Sequence, residues 1–171
     1  ATAIKKLKQR GIHCVMLTGD RSEIAESYGE SFGITEVHAE VLPGEKAGII
    51  SRYQDRGEIV AMVGDGINDA PALTQADVGI ALGTGTDIAM ESGDIVLVKG
   101  DLAGVVRTAI LAEATFKKIK QNLFWAFIYN VVAIPLAFLG LLHPVIAEGA
   151  MALSSINVVW NSNRLRKTHL S

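Results

Sequence analysis

Ile59-Val60-Ala61-Met62-Val63-Gly64-Asp65-Gly66-Ile67-Asn68-Asp69-Ala70-Pro71-Ala72-Leu73 decides how this chain is read. The apolar run 59–63 predicts a buried strand, and Asp69 with Pro71 predicts a helix start. Asp65, Asn68 and Asp69 then fall in a loop at the carboxyl end of a strand, where open α/β sheets place their ligands. Two carboxylates, an amide and exposed backbone N–H groups can together hold Mg²⁺ beside a phosphoryl group. An isolated Gly-Asp-Gly is more often a plain connecting turn. The length and order of this string favour the site.

On either side the pattern repeats. Helices are expected near 2–10, 23–31 (capped by Ser22), 44–56, 69–75 and 86–92. Strands are expected at 13–17, 37–41, 59–63, 78–82 and 94–99. Strand and helix alternate with short connections, which predicts a parallel α/β sheet. Cys14, the single cysteine, lies in the apolar run of the first strand. It excludes an internal disulfide, fits a reducing compartment and reads as a buried strand residue.

Charge divides the chain. Residues 1–114 carry ten Lys/Arg against seventeen Asp/Glu, a net −7, whereas residues 115–171 carry six against one, a net +5. Hydrophobic residues make up 49% and mean hydropathy is +0.31, high for a wholly soluble protein. The first half is therefore assigned to a cytoplasmic domain (1–114) and the second to a membrane domain (115–171). Leu102 to Lys120 predicts a long amphipathic helix. Leu123 to Leu142 (about 123–142) has one strongly polar side chain, Asn130, and suffices to cross a core of roughly 30 Å. Residues 144–160 give a second, less apolar span, joined to the first by a short link. The clusters Lys117, Lys118, Lys120 and Arg164, Arg166, Lys167 flank this hairpin on one side, so both its ends are expected in the cytoplasm.

Two further strand ends carry candidate groups, Thr18-Gly19-Asp20 and Lys46 after Leu42-Pro43-Gly44-Glu45. Each alone is weak, a turn and a solvated lysine. With Gly64 to Leu73 in this order, they resemble the haloacid-dehalogenase-like phosphorylation domain of P-type ATPases. That resemblance implies that Thr18, Gly19, Asp20, Lys46, Asn68 and Asp69 belong to the catalytic centre. Thr18, Lys46 and Asn68 would hold the phosphoryl group, and Asp65 with Asp69 would serve Mg²⁺, Asp69 also supporting the loop and the lysine. ATP would be the substrate of the whole pump. Phosphoryl transfer is mostly positioning and charge neutralisation, which a lysine and Mg²⁺ supply. The family's phosphorylated aspartate sits in Asp-Lys-Thr-Gly-Thr, a string that does not occur here. The chain by itself is therefore expected not to turn over ATP. Residues 79–94 resemble the small-residue stretch that follows the loop in the family, and Gly83-Thr84-Gly85-Thr86 reads as a packing turn.

In the membrane half, Asn-Leu-Phe-Trp-Ala-Phe-Ile-Tyr-Asn (122–130) and Met-Ala-Leu-Ser-Ser (151–155) resemble the last two membrane helices of copper-transporting heavy-metal P-type ATPases. The resemblance implies that Tyr129, Asn130, Met151 and Ser155 help form a transmembrane Cu(I) site. A thioether suits that soft ion, and Met151 and Ser155 share a helical face. Packing by Met and helix gluing by Ser or Asn are the plainer alternatives. Glu148 is a candidate exit-site group, weighed evenly against a glutamate that reaches interfacial water. The expected setting is a multi-pass protein of the cell membrane. Its expected partners are the lipid bilayer, the missing N-terminal part of the same pump and a cytosolic copper chaperone, with no nucleic acid. A pump for Zn²⁺, Cd²⁺ or Cu²⁺, and a membrane-anchored phosphatase of the same superfamily, are the alternatives.

Overall fold

The computed structural model describes residues 2–65, 67–83, 91–141 and 143–168. Gly66 of the central loop, the Thr84-Gly85-Thr86 part of the packing turn and most of the helix expected at 86–92 lie outside these. Two compact units divide at Val106/Arg107.

In the first unit, strand and helix alternate as the sequence predicts. The elements are α1 (Thr2–Lys8), β1 (Val15–Leu17), α2 (Ser22–Phe32), β2 (Glu36–His38), α3 (Pro43–Gln54), β3 (Ala61–Gly64), α4 (Ala70–Gln75), β4 (Val78–Leu82) and β5 (Ile95–Leu97). All strand pairs are parallel. The described strands form two sheets, ordered β1-β2 and β3-β4-β5. Among them, β1 and β3 each have one partner. A single core cluster nevertheless joins the parts: Ile50 of α3, Met62 of β3, Ala72 and Leu73 of α4 and Ala81 of β4 are buried together, with Leu17 of β1 packed against them. Burying a residue such as Leu73, 1% exposed, stabilises by about 1.5–3 kcal/mol. Gly79 lets α4 lie close on the sheet, because a Cβ there would sit 2.6 Å from the Leu73 carbonyl oxygen.

Ser22 is not the cap of α2. Arg21 occupies the N-cap without a side-chain bond, and Ser22 is the first helical residue. The Glu40 carboxylate, from the loop after β2, instead accepts from Ser22 N at 3.3 Å and Ser22 Oγ at 3.4 Å. An anion from a neighbouring loop meets the open N–H groups of a helix start as well as a local cap does.

The long amphipathic helix and the first span are one element, α5 (Leu102–Phe138), 37 residues with Pro135 inside, which begins in the first unit and continues through the second. Nothing interrupts it at Lys117–Asn122, since helix hydrogen bonds are local and indifferent to a change from polar to apolar side chains. Gly140 ends it at φ +69, where a side chain would be strained. α6 (Pro144–Asn163) follows. His143 is its N-cap, its Nδ1 accepting from Val145 N at 3.4 Å. Among the described residues α5 is the one helix long and apolar enough to cross a membrane. Leu123, Phe124, Phe127, Val131, Ile134 and Phe138 of α5, and Leu153, Val159 and Trp160 of α6, are all exposed.

Candidate functional site

The carboxyl end of β3 opens into a 3-10 turn (Ile67–Asp69) and then α4, with Pro71 in its first turn. Asp69 is the buried carboxylate of this turn, 8% exposed. Its Oδ1 accepts from Lys46 Nζ at 2.7 Å, and its Oδ2 accepts from Asp65 N at 3.3 Å. Both oxygens are thus engaged, one by the ammonium and one by the loop backbone. Gly64 makes room for this. A Cβ on Gly64 would lie 2.6 Å from Asp69 Cβ and 2.9 Å from its Cγ, closer than real atoms approach. Asp65 and Asn68 are exposed on the same loop.

Lys46 sits in the first turns of α3, which Pro43 begins. Glu45 reaches back so that its Oε2 accepts from Leu42 N at 3.1 Å. The start of α3 is also tied to the end of β1. Thr18 N donates to His38 O at 3.0 Å, Val41 N to Thr18 O at 3.0 Å and Glu40 N to Asp20 O at 2.9 Å. Within the turn, Thr18 Oγ1 donates to Asp20 Oδ2 at 2.9 Å and accepts from Asp20 N at 3.1 Å. Thr18 follows Leu17, which packs on the same cluster as Met62. Thr18-Gly19-Asp20, Lys46 and the Asp65–Asp69 loop are therefore anchored to one shared core. Among the described residues no three His, Cys, Asp or Glu side chains converge on a metal position. A Mg²⁺ here fits a single exposed carboxylate, Asp65, completed by phosphate oxygens and water, a ligand set that ion favours.

In the hairpin, Tyr129 and its neighbour are placed differently. Tyr129 is half-buried, and its hydroxyl accepts from Asn157 Nδ2 of α6 at 3.0 Å. Asn130 Nδ2 donates to Ala126 O at 2.9 Å and Ser155 Oγ to Met151 O at 3.1 Å, each bond within its own helix. Asn130, Met151, Ser155 and Glu148 are exposed. Sequence reasoning missed Asn157. It also missed the chain in which Lys118 Nζ donates to Asn161 Oδ1 (2.8 Å), Asn161 Nδ2 to Asn122 Oδ1 (2.7 Å) and Asn122 Nδ2 to Ser162 Oγ (2.8 Å). The available signal was the recurrence of Asn157 and Asn161 one turn apart on the same helix.

Residues 1–77 match the model of the haloacid dehalogenase-like hydrolases. Over 97% of its length the chain is 55% identical to the probable copper-importing P-type ATPase A of Enterococcus hirae, of which it covers 23%. Over 98% it is 55% identical to the copper-exporting P-type ATPase of Staphylococcus epidermidis, covering 21% of it. The chain is a P-type ATPase segment. It spans between a fifth and a quarter of the length of these relatives. Its fold is similar to part of a zinc-transporting PIB-type ATPase in the E2.Pi state, with TM-score 0.90 and 37% identity over 96% of this chain and 27% of that one. The Lys46–Asp69 pair lies within the residues that match the haloacid dehalogenase-like hydrolases.

Proposed function

We propose that the chain is the C-terminal part of a Cu(I)-exporting P-type ATPase, most of its phosphorylation domain (about 1–114) with its last two membrane helices (115–171). The observation that carries the phosphoryl half is the Lys46–Asp69 pair braced on Asp65 N at the end of β3. It presents a half-buried, oriented ammonium from α3 and an exposed carboxylate, Asp65, from the loop after β3. The relatives named for copper support the choice of ion.

In the whole pump, the carboxylate of an aspartate outside this chain attacks the γ-phosphorus of ATP, and ADP leaves. Water then attacks the aspartyl-phosphate and inorganic phosphate departs. Thr18 and Asn68 hydrogen-bond the phosphoryl oxygens, and Lys46, held in place by Asp69, neutralises their charge. Asp65 holds Mg²⁺, which supplies further charge neutralisation. Asp20 Oδ2 holds the Thr18 hydroxyl proton until a phosphoryl oxygen takes its place as acceptor. β1 and β3 each leave one edge open among the described strands. A strand from the rest of the pump, carrying the phosphorylated aspartate, fits between them and brings Thr18 and Asp65 to either side of it. The chain alone, without that aspartate, is inactive.

Cu(I) is the cargo, handled by Tyr129, Asn130, Met151 and Ser155 together with groups outside this chain, with Glu148 on the exit side. The pump lies in the cell membrane with the phosphorylation domain and both ends of the hairpin cytoplasmic, and a cytosolic chaperone delivers the ion. The solved zinc transporter keeps a second reading in play, a Zn²⁺ pump. ATPase activity of the full-length protein in vesicles separates the two. Stimulation by Cu(I) with a thiol carrier supports the proposal, and stimulation by Zn²⁺ alone overturns the ion.

A further inference from the structure

Of the four hairpin residues placed at the ion site, Tyr129 is the one whose side chain bonds across to the other helix. Asn157 Nδ2 donates to the phenol oxygen at 3.0 Å, and both residues are half-buried. The ring also lies against Trp125, with centroids 6.4 Å apart and planes inclined by 38°. Two restraints, one on the ring and one on the hydroxyl, leave the phenol little freedom. Asn130 and Ser155 are bonded only along their own helices in the contacts described above, and Met151 is 72% exposed. They carry no such cross-helix restraint there.

One turn beyond Asn157, Asn161 belongs to the Lys118–Asn161–Asn122–Ser162 chain. That chain pins the axial register of α5 against α6. Tyr129 lies seven residues past Asn122 and Asn157 four before Asn161, so the two backbones differ by about 4–5 Å along the axis at 1.5 Å per residue. Helical side chains lean toward their own N-termini, and in antiparallel helices these two lean toward each other and close that gap. Asn157 is thus the last rung of a polar ladder, the rung that ends on an ion-site residue. An amide in an apolar span is costly without a partner, so Asn157 holds Tyr129 strongly once the register is set.

We infer that Asn157 is a positioning residue of the ion site: its amide N–H, donated to the Tyr129 hydroxyl, sets the direction in which the phenol oxygen faces the ion. The inference rests on the reading of Tyr129 as an ion-site residue. A bond donated into the phenol oxygen uses one of its lone pairs and leaves the other, with the O–H, for the cargo or its remaining ligands.

The test uses the full-length pump without ATP. Cu(I) affinity is measured by competition with a chromophoric Cu(I) chelator, and the tyrosine hydrogen-bond state by ultraviolet resonance Raman. Asn157→Leu, which keeps the branched shape and removes the donor, is expected to weaken Cu(I) binding about five- to tenfold, the weight of one hydrogen bond. It should also change the Tyr129 Raman signature. Asn157→Ser, which restores a hydroxyl donor, should recover part of both, and supplies the measurement if the leucine variant does not fold. In the Tyr129→Phe background Asn157→Leu should cause no further loss. Asn161→Leu, which loosens the register on which the Asn157–Tyr129 bond depends, should lower the thermal midpoint and weaken Cu(I) binding less than Asn157→Leu does. If Tyr129→Phe weakens binding while Asn157→Leu and Asn157→Ser both bind as the parent does, the inference is overturned. It is also overturned if the Asn157 and Tyr129 losses multiply. If Tyr129→Phe itself binds Cu(I) unchanged, the placement of Tyr129 at the site is what fails.

Discussion

Replacing Lys46 by methionine removes the ammonium that holds Asp69 and leaves a carboxylate in a nearly closed site. Breaking a fully buried pair costs about 3–5 kcal/mol, because the remaining charge has lost its compensation. Here the side chains keep 14% and 11% of their exposure, and Asp65 N still bonds Oδ2. The cost is accordingly about 2–3 kcal/mol, roughly a 30- to 150-fold rise in local opening. Hydrogen exchange of backbone amides in 61–75, measured in the full-length protein, reads it directly. Lys46→Met should accelerate exchange there by that factor, and Asp69→Asn should do so less. The double variant should lie nearer to Asp69→Asn than to the sum, since neither charge is then stranded. An acceleration below about threefold, or additive losses, would refute the view that the pair is a coupled, desolvated unit.

Gly64→Ala should destabilise the same loop by about 1–3 kcal/mol, as overpacking does, because its Cβ would displace Asp69; it should also lower turnover of the full-length pump, and parental values for both measurements contradict the close approach. The Tyr53 hydroxyl, bonded to the Glu36 carboxylate, is pushed up to about 12 by burial first and then by that carboxylate. Its contribution to stability is fully present below the ordinary tyrosine value and lost as pH rises through about 12; Tyr53→Phe should flatten the alkaline fall in thermal midpoint. Glu36 is held below its usual value chiefly by the Tyr53 hydrogen bond, with the charges of His13 and His38 adding to it. Its contribution is present above the usual carboxylate range and lost as pH falls through the lowered value, so Glu36→Gln should flatten the acid limb. Glu148→Gln in the full-length pump should slow vesicle transport several-fold if the carboxylate helps release the ion; unchanged rate and metal affinity remove that role.

The sequence by itself determined the succession of the described strands and helices and the place of the Gly64–Asp69 loop at a strand end, because these follow from local chemistry. Apolar runs of strand length, a glycine-flanked aspartate and Pro71 at a helix start act within a few residues of one another. β4 was legible to the residue, at 78–82, whereas β1 and β2 came out shorter than the strands expected at 13–17 and 37–41. Hydrophobicity marks burial, and ladder length is set by the neighbouring strand. The continuity of α5 was not legible either. Lys117, Lys118 and Lys120 signal a membrane boundary, which is a property of solvent and not of the helix backbone. Tertiary structure alone decided other partners: Glu40 rather than Ser22 at the start of α2, and Asn157 on Tyr129 across 28 positions of chain. Such pairs leave no periodic mark in a sequence. They exist because folding brings desolvated polar groups within reach of one another, and each must then find a partner.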